Sequence, residues 1–202
     1  MILSMKKAAN TRSMPQKIRI IGGTLKRSNL PVVSVEGLRP TPDRVRETLF
    51  NWLNYFWDGD FSDKSVLDLF AGSGALGFEA ASRGAQHVQM VESHPKAVAA
   101  LRQFRDKHQL HQVRINDHDA RLVLKRMDNS RFHLILIDPP FADEELLQQS
   151  IAALPSICKN GTLVYLESAT PVLLPADFEL LRQDQAGASH FYLYHYISET
   201  AS

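Results

Sequence analysis

The chain has a single cysteine, Cys158, which excludes an internal disulfide and a thiolate zinc cluster and points to a reducing compartment. Long apolar runs are also missing, and none approaches the roughly 20 residues of a membrane span. Residues 1–15 carry Lys6, Lys7 and Arg12 but no apolar stretch leading to a small-residue cleavage site, so a secretory signal is not expected. A cytoplasmic protein is the consequent expectation. The eight histidines show no convincing ligand spacing, and no metal site is expected. Internal repeats and low-complexity tracts are absent. What is present, 44% hydrophobic and 22% charged residues in 202, suits one buried core rather than a disordered or fibrous chain.

Net charge is also scarce, at +1, but the average conceals an asymmetry. Residues 1–46 hold ten Lys/Arg and two acids, a balance of +8; the remaining 156 hold 13 and 20, a balance of −7. A basic arm on an acidic body favours a polyanion such as nucleic acid; a solvated tail is the plainer alternative. Within the arm, residues 17–21 and 30–35 read as two short strands around Gly22-Gly23, with Ile18 and Ile20 on one face and Lys17, Arg19 and Ile21 on the other. Thr41-Pro42-Asp43 then predicts an N-cap, a first-turn proline and an acid opening a helix over 42–57.

From Ser65 onward strand-like and helix-like segments alternate. Strands are expected at 66–70, 87–91, 113–116, 132–137 and 161–166, with helices at 75–83, 96–108, 120–127 and 143–154. This βαβ rhythm predicts an α/β fold with a mostly parallel sheet covered on both faces. Segments 178–182 and 191–197, joined by a polar loop over 183–190, predict a closing antiparallel hairpin.

Two local patterns carry chemistry. Gly72-Ser73-Gly74-Ala75-Leu76-Gly77 matches GxGxxG between a strand and a helix, and Glu92 follows at the end of the next strand, placed to take ribose hydroxyls. Alone, this admits NAD or another adenosine cofactor. Asp68, just before the loop, would repel a pyrophosphate but suits a ligand with an ammonium and a sulfonium, namely S-adenosylmethionine. Satisfaction of Asp68 by loop amides, and of Glu92 by the Ser93-His94-Pro95 turn, are the structural alternatives. The second pattern, Asp138-Pro139-Pro140-Phe141, ends a buried strand where ligands of open α/β sheets bind. A target amine could donate to the Asp138 carboxylate and the Pro139 carbonyl while Phe141 stacks on its ring; a strand-ending turn with a buried Phe141 is the alternative.

These residues resemble the class I, Rossmann-like, S-adenosylmethionine-dependent methyltransferases. The resemblance implies a seven-stranded sheet and a cofactor lined by Asp68, Phe70, Ala71, Gly72, Gly74, Glu92, Asp119 and Ala120. Asp138 to Phe141 resembles the motif of enzymes that methylate planar exocyclic or amide nitrogens, a group spanning DNA adenine-N6, RNA guanine-N2 and protein glutamine enzymes. Ile18 to Gly23 together with Gly37 to Trp52 resembles the bacterial RsmD family, which methylates guanine N2 in small-subunit ribosomal RNA. That resemblance implies a monomer acting on rRNA within an assembling 30S subunit, with Arg39, Pro40, Thr41 and Asn51 closing over cofactor and target. Its division of the chain would be a flexible basic tail (1–15), a basic hairpin (16–40) and a methyltransferase domain (41–202). Arg12, Lys17, Arg19, Lys26, Arg27 and Arg44 are the candidate RNA contacts. A noncatalytic RNA-binding module on a degenerate core, and a nicotinamide dehydrogenase, remain as competing classes. Cys158 has no expected base partner and is read as inert.

Overall fold

The structure, a computed structural model, describes residues 18–31, 42–127, 131–140 and 143–198. Helix α1 (Asp43–Phe56) is followed by alternating β1 (Ser65–Asp68), α2 (Ala75–Ser82), β2 (His87–Val91), α3 (Pro95–Lys107), β3 (Val113–Asn116), α4 (Ala120–Arg126), β4 (Leu134–Ile137), α5 (Glu144–Ile157) and β5 (Leu163–Ser168). The chain closes with β6 (Phe178–Ala186) and β7 (Ser189–Tyr196). All seven strands form one sheet in the order β3-β2-β1-β4-β5-β7-β6, in which β7 alone runs antiparallel to its neighbours. The expected α/β class and closing hairpin are thus present. Among the described residues no helix is long and apolar enough to cross a membrane.

Burial on both faces explains the composition of the central strands. Every residue of β4, Leu134 to Ile137, is fully buried, as a parallel strand between two helical layers requires. Alternation then sorts the side chains. Val66, Val88, Met90, Leu134, Leu136 and Tyr165 pack under α1, α2 and α3, whereas Leu67, Val91, Ile135, Ile137 and Val164 pack under α4 and α5. Because β2 and β3 lie on one side of β1 and β4 on the other, the chain reverses its winding between β1 and β4. The crevice for a ligand opens at such a switch point, above the carboxyl ends of those two strands.

Several local expectations shift. The two N-terminal strands reduce to one antiparallel bridge, Arg19 with Asn29, closed by Ile20 N–H to Ser28 O and Leu30 N–H to Ile18 O, each at 2.9 Å. Residues 17 and 32–35 lie outside the described ones. Ile18 and Ile20, expected on one face, are both buried, and together with Leu30 they join the main core. Helix α1 starts one residue late: Pro42 is its N-cap, without a side-chain cap bond, and Thr41 lies outside the described residues. Helix α5 runs through Pro155 instead of stopping at 154. The polar loop over 183–190 is mostly strand, because β6 and β7 pair up to Ala186 and Ser189 around a two-residue turn. As the sheet edge, β6 is exposed along most of its length, so it lacks the apolar alternation that marks a strand.

The N-terminal segment docks through a buried carboxylate. Glu79, fully buried on α2, accepts Ile21 N–H at 2.7 Å, Gly22 N–H at 2.8 Å and Arg83 Nε–H at 2.8 Å. Arg46 of α1, also fully buried, donates to Arg19 O at 2.9 Å and to Asp43 Oδ1 at 2.6 Å. One of the arm's ten cations is therefore structural and unavailable to a polyanion. Gly23 has φ +71°, and a Cβ there would sit 1.8 Å from Ser82 O, so the backbone of the turn lies against the end of α2.

Candidate active site

The glycine loop joins β1 to α2. Gly72 and Gly74 both take positive φ, +52° and +80°, and a Cβ on Gly74 would lie 2.5 Å from the Phe78 ring. The turn therefore excludes side chains both by backbone conformation and by packing. Gly74 caps α2, whose third amide, Gly77 N–H, donates to Asp68 Oδ2 at 3.0 Å. A pyrophosphate binds a helix N-terminus through such free amides. Here the Asp68 carboxyl already takes one, so that amide is not free for a pyrophosphate.

Asp68 is 2% exposed, and burial pushes its carboxyl up to about 7, opposed by bonds from the amides of Gly77 and Phe70. The neighbouring Glu92 carboxylate pushes in the same direction as burial. Glu92 is half-buried; its Oε2 accepts Gly72 N–H at 2.9 Å and its Oε1 accepts His94 N–H at 2.7 Å. Both structural alternatives for these acids are therefore realised. A carboxylate has about four acceptor directions, so each Glu92 oxygen keeps one for a diol. The donor set fits S-adenosylmethionine: an acceptor pair at Glu92, a carboxylate at Asp68 and a loop too close-packed for side chains.

Along the same edge, Asp119 caps α4 by accepting Arg121 N–H at 2.7 Å, and Ala120 is buried behind it. Phe70 is half-buried and Ala71 is held by its N–H to Val91 O at 2.9 Å. Arg39 and Thr41 lie outside the described residues, as does Phe141. His94 caps α3 by accepting Lys96 N–H at 3.3 Å, and His118 lies 3.3 Å from Asp117, so each already has a local structural partner. The Cys158 thiol is pushed up to about 12 by burial, consistent with an inert side chain.

Asp138 leaves β4 beside this loop, because β4 pairs with β1 and Leu69 N–H donates to Leu136 O at 3.1 Å. It is half-buried, Pro139 is buried and Pro140 is exposed. Pro140 O accepts Asp143 N–H at 2.9 Å, which leads the chain into α5, while Pro139 O receives no bond among the described residues. The Pro139 carbonyl is thus available to a donor from outside. By alternation Glu92, Asp68 and Asp138, at the ends of β2, β1 and β4, share the face packed against α2.

Residues 18–195 match the family model described as conserved hypothetical protein 95. The chain belongs to that family. It is 35% identical over 203 residues to ribosomal RNA small subunit methyltransferase D of Haemophilus influenzae, covering 93% of this chain and 98% of the relative. The Escherichia coli protein of the same name is 37% identical over 186 residues, covering 88% of this chain and 89% of that protein. A solved Escherichia coli structure described as a candidate methyltransferase superposes with a TM-score of 0.80 at 33% identity, covering 91% of this chain and all of that one. The α/β fold read from the strand–helix rhythm and the glycine loop, and the family resemblance read from Ile18 to Gly23 with Gly37 to Trp52, therefore hold.

Sequence reasoning missed Glu79 and Ser82, whose signal was a Glu and a Ser three apart in an otherwise small and apolar helix. It also missed Glu167, a buried acid one residue before the end of β5. Arg19, Lys26, Arg27 and Arg44 are exposed, and Arg19 lies 3.6 Å from Asp43; Arg12 and Lys17 lie outside the described residues.

Proposed function

We propose that this chain transfers a methyl group from S-adenosylmethionine to the exocyclic N2 of a guanine in small-subunit ribosomal RNA. The observation that carries the reading is the placement, at the sheet's switch point, of Asp138 and of the Pro139 carbonyl, which receives no bond among the described residues, beside a glycine loop whose helix amide is already held by Asp68. Relatives named for small-subunit rRNA methylation, alike over nearly the whole chain, supply the substrate class. S-adenosylmethionine brings a methyl group activated by its sulfonium. Asp138 accepts one N–H of the target amine and Pro139 O the other, which directs the nitrogen lone pair away from both. Positive charge growing on that nitrogen is met by the Asp138 carboxylate. The proton leaves after transfer, so Asp138 orients the nucleophile and has no need to be a strong base. Phe141 offers the extruded base a stacking face.

Asp68, Phe70, Ala71, Gly72, Gly74, Glu92, Asp119 and Ala120 line the cofactor in this reading, and Arg39 and Thr41 close over it. Arg12, Lys17, Arg19, Lys26, Arg27 and Arg44 contact RNA phosphates within an assembling 30S subunit in the cytoplasm, and the enzyme acts as a monomer. Replacing Asp138 by Ala tests the site. Turnover should fall by about 10²–10³-fold, the usual loss for a group that meets transition-state charge. Calorimetric affinity for S-adenosylhomocysteine should stay within about twofold. Near-normal turnover would overturn the assignment.

A further inference from the structure

Glu167 is a buried acid that the reaction above does not use. It is the penultimate residue of β5, is 3% exposed, and forms no ion pair with a Lys or Arg among the described residues. Its partners are neutral hydroxyls: Tyr165 O–H donates to Oε2 at 3.0 Å and Ser189 O–H to Oε1 at 2.6 Å. Burial raises its pKa, and the two hydroxyl bonds oppose the rise. A carboxylate buried without a cation is costly to stability, and an amide of the same shape would serve a purely structural clamp.

Its location suggests a use. In the β4–β5 register Ile137 pairs with Leu166, so Asp138 and Glu167 follow on the next rung of adjacent strands. Adjacent strands lie about 4.8 Å apart. Alternation turns both residues to the face of Tyr165, whose phenol responds electrostatically to both carboxylates. Two carboxyl groups thus share one face of adjacent strands at their carboxyl ends, with Glu167 held in one orientation by Tyr165 and Ser189.

Guanine presents two kinds of donor on its Watson–Crick edge, the N2 amine and the adjacent N1–H. Adenine presents an N1 lone pair where guanine has N1–H. We infer that Glu167 is a specificity-determining residue that accepts the guanine N1–H while Asp138 holds the N2 amine, so the paired carboxylates select guanine over bases with an acceptor at N1. This rests on the guanine-N2 reading proposed above. Each Glu167 oxygen accepts one hydroxyl and keeps acceptor capacity for a further donor. An incoming base with a lone pair at N1 brings no donor to Glu167, and a site built around such a bond rejects the analogue that lacks the donor.

The test uses small-subunit rRNA ligated to carry either guanine or 2-aminopurine at the methylated position. 2-Aminopurine keeps the reacting amine and replaces N1–H by a lone pair. The wild-type enzyme should favour guanine by about 10²-fold or more in kcat/KM, the scale of a lost charge-assisted bond. Glu167→Gln, whose amide can donate to the N1 lone pair, should lose about 10²-fold on guanine and hold or gain on 2-aminopurine, collapsing the preference. S-Adenosylhomocysteine affinity should be unchanged. Equal wild-type rates on the two RNAs would overturn the inference without any variant. So would a Glu167→Gln enzyme that keeps the full preference or slows on both RNAs alike. A wild-type enzyme that leaves guanine RNA unmethylated would instead overturn the underlying function.

Discussion

Removing the Glu79 carboxylate should destabilise the fold where the N-terminal segment docks, and the structure sets the scale. Glu79→Ala leaves the amides of Ile21 and Gly22 without their acceptor and Arg83 without its 2.8 Å partner. It also removes the carboxylate 4.0 Å from the fully buried Arg46 guanidinium. Breaking a buried pair by deleting one partner costs about 3–5 kcal/mol, chiefly because the remaining charge stays buried. Detachment of the segment offers no cheaper escape. It would expose Ile18, Ile20 and Leu30, which are 3%, 1% and 4% exposed and contribute about 1.5–3 kcal/mol apiece. For a domain of this length, Tm moves about 2–4 °C per kcal/mol, so a fall of roughly 6–20 °C is expected. Urea unfolding reports the global loss, and amide exchange at Ile21, Gly22 and Leu25 reports whether the segment loosens first. A stability change under about 1 kcal/mol, with protection at these amides retained, would refute the docking role.

Two further outcomes follow from charge. Asp68 holds its proton in the folded state up to about 7 but loses it near 4 when unfolded, so its favourable contribution is complete below about 4 and is lost as pH rises through about 7. The wild-type urea midpoint should therefore drop between pH 5 and 8 relative to Asp68→Asn, and parallel curves would contradict the burial argument; affinity for S-adenosylmethionine should rise over the same interval as the carboxylate ionises. Neutralising Arg19, Lys26, Arg27 and Arg44 together should lower the slope of log affinity against log salt by up to about 0.7–0.9 per lost phosphate contact, with S-adenosylhomocysteine binding unaffected. An unchanged slope would remove the exposed N-terminal cations from the RNA interface.

The parts of the fold legible in the sequence are those where one residue type does one job. The runs ending in Asp68, Glu92 and Asp138 are apolar because parallel strands are buried on both faces, and each acid marks the point where the strand emerges into the crevice. Glu167 follows the apolar run Leu163 to Leu166 but stays buried within β5, which continues to Ser168, so its position shows only once β5 is seen beside β4. The docking network was not legible for another reason. Arg46 sits three residues after Asp43 in a helix whose apolar stripe is Val45, Leu49, Phe50 and Leu53, and it reads as a surface cation until the Arg19 carbonyl and Glu79 are brought to it across 27 and 33 positions of chain. Arg46 therefore counts toward the +8 of residues 1–46 but not toward their exposed cations. Strand β6 was legible over 178–182 but not over its remaining residues, because a sheet edge needs no apolar face.

The central claim is the identity of the methylated atom. Small subunits from a strain lacking this enzyme, incubated with the protein and tritiated S-adenosylmethionine and then digested to nucleosides, should carry label in N2-methylguanosine of the rRNA and none when Asp138→Ala is used. Label in methylated adenine or in ribosomal protein, or equal labelling by the Asp138 variant, would contradict it.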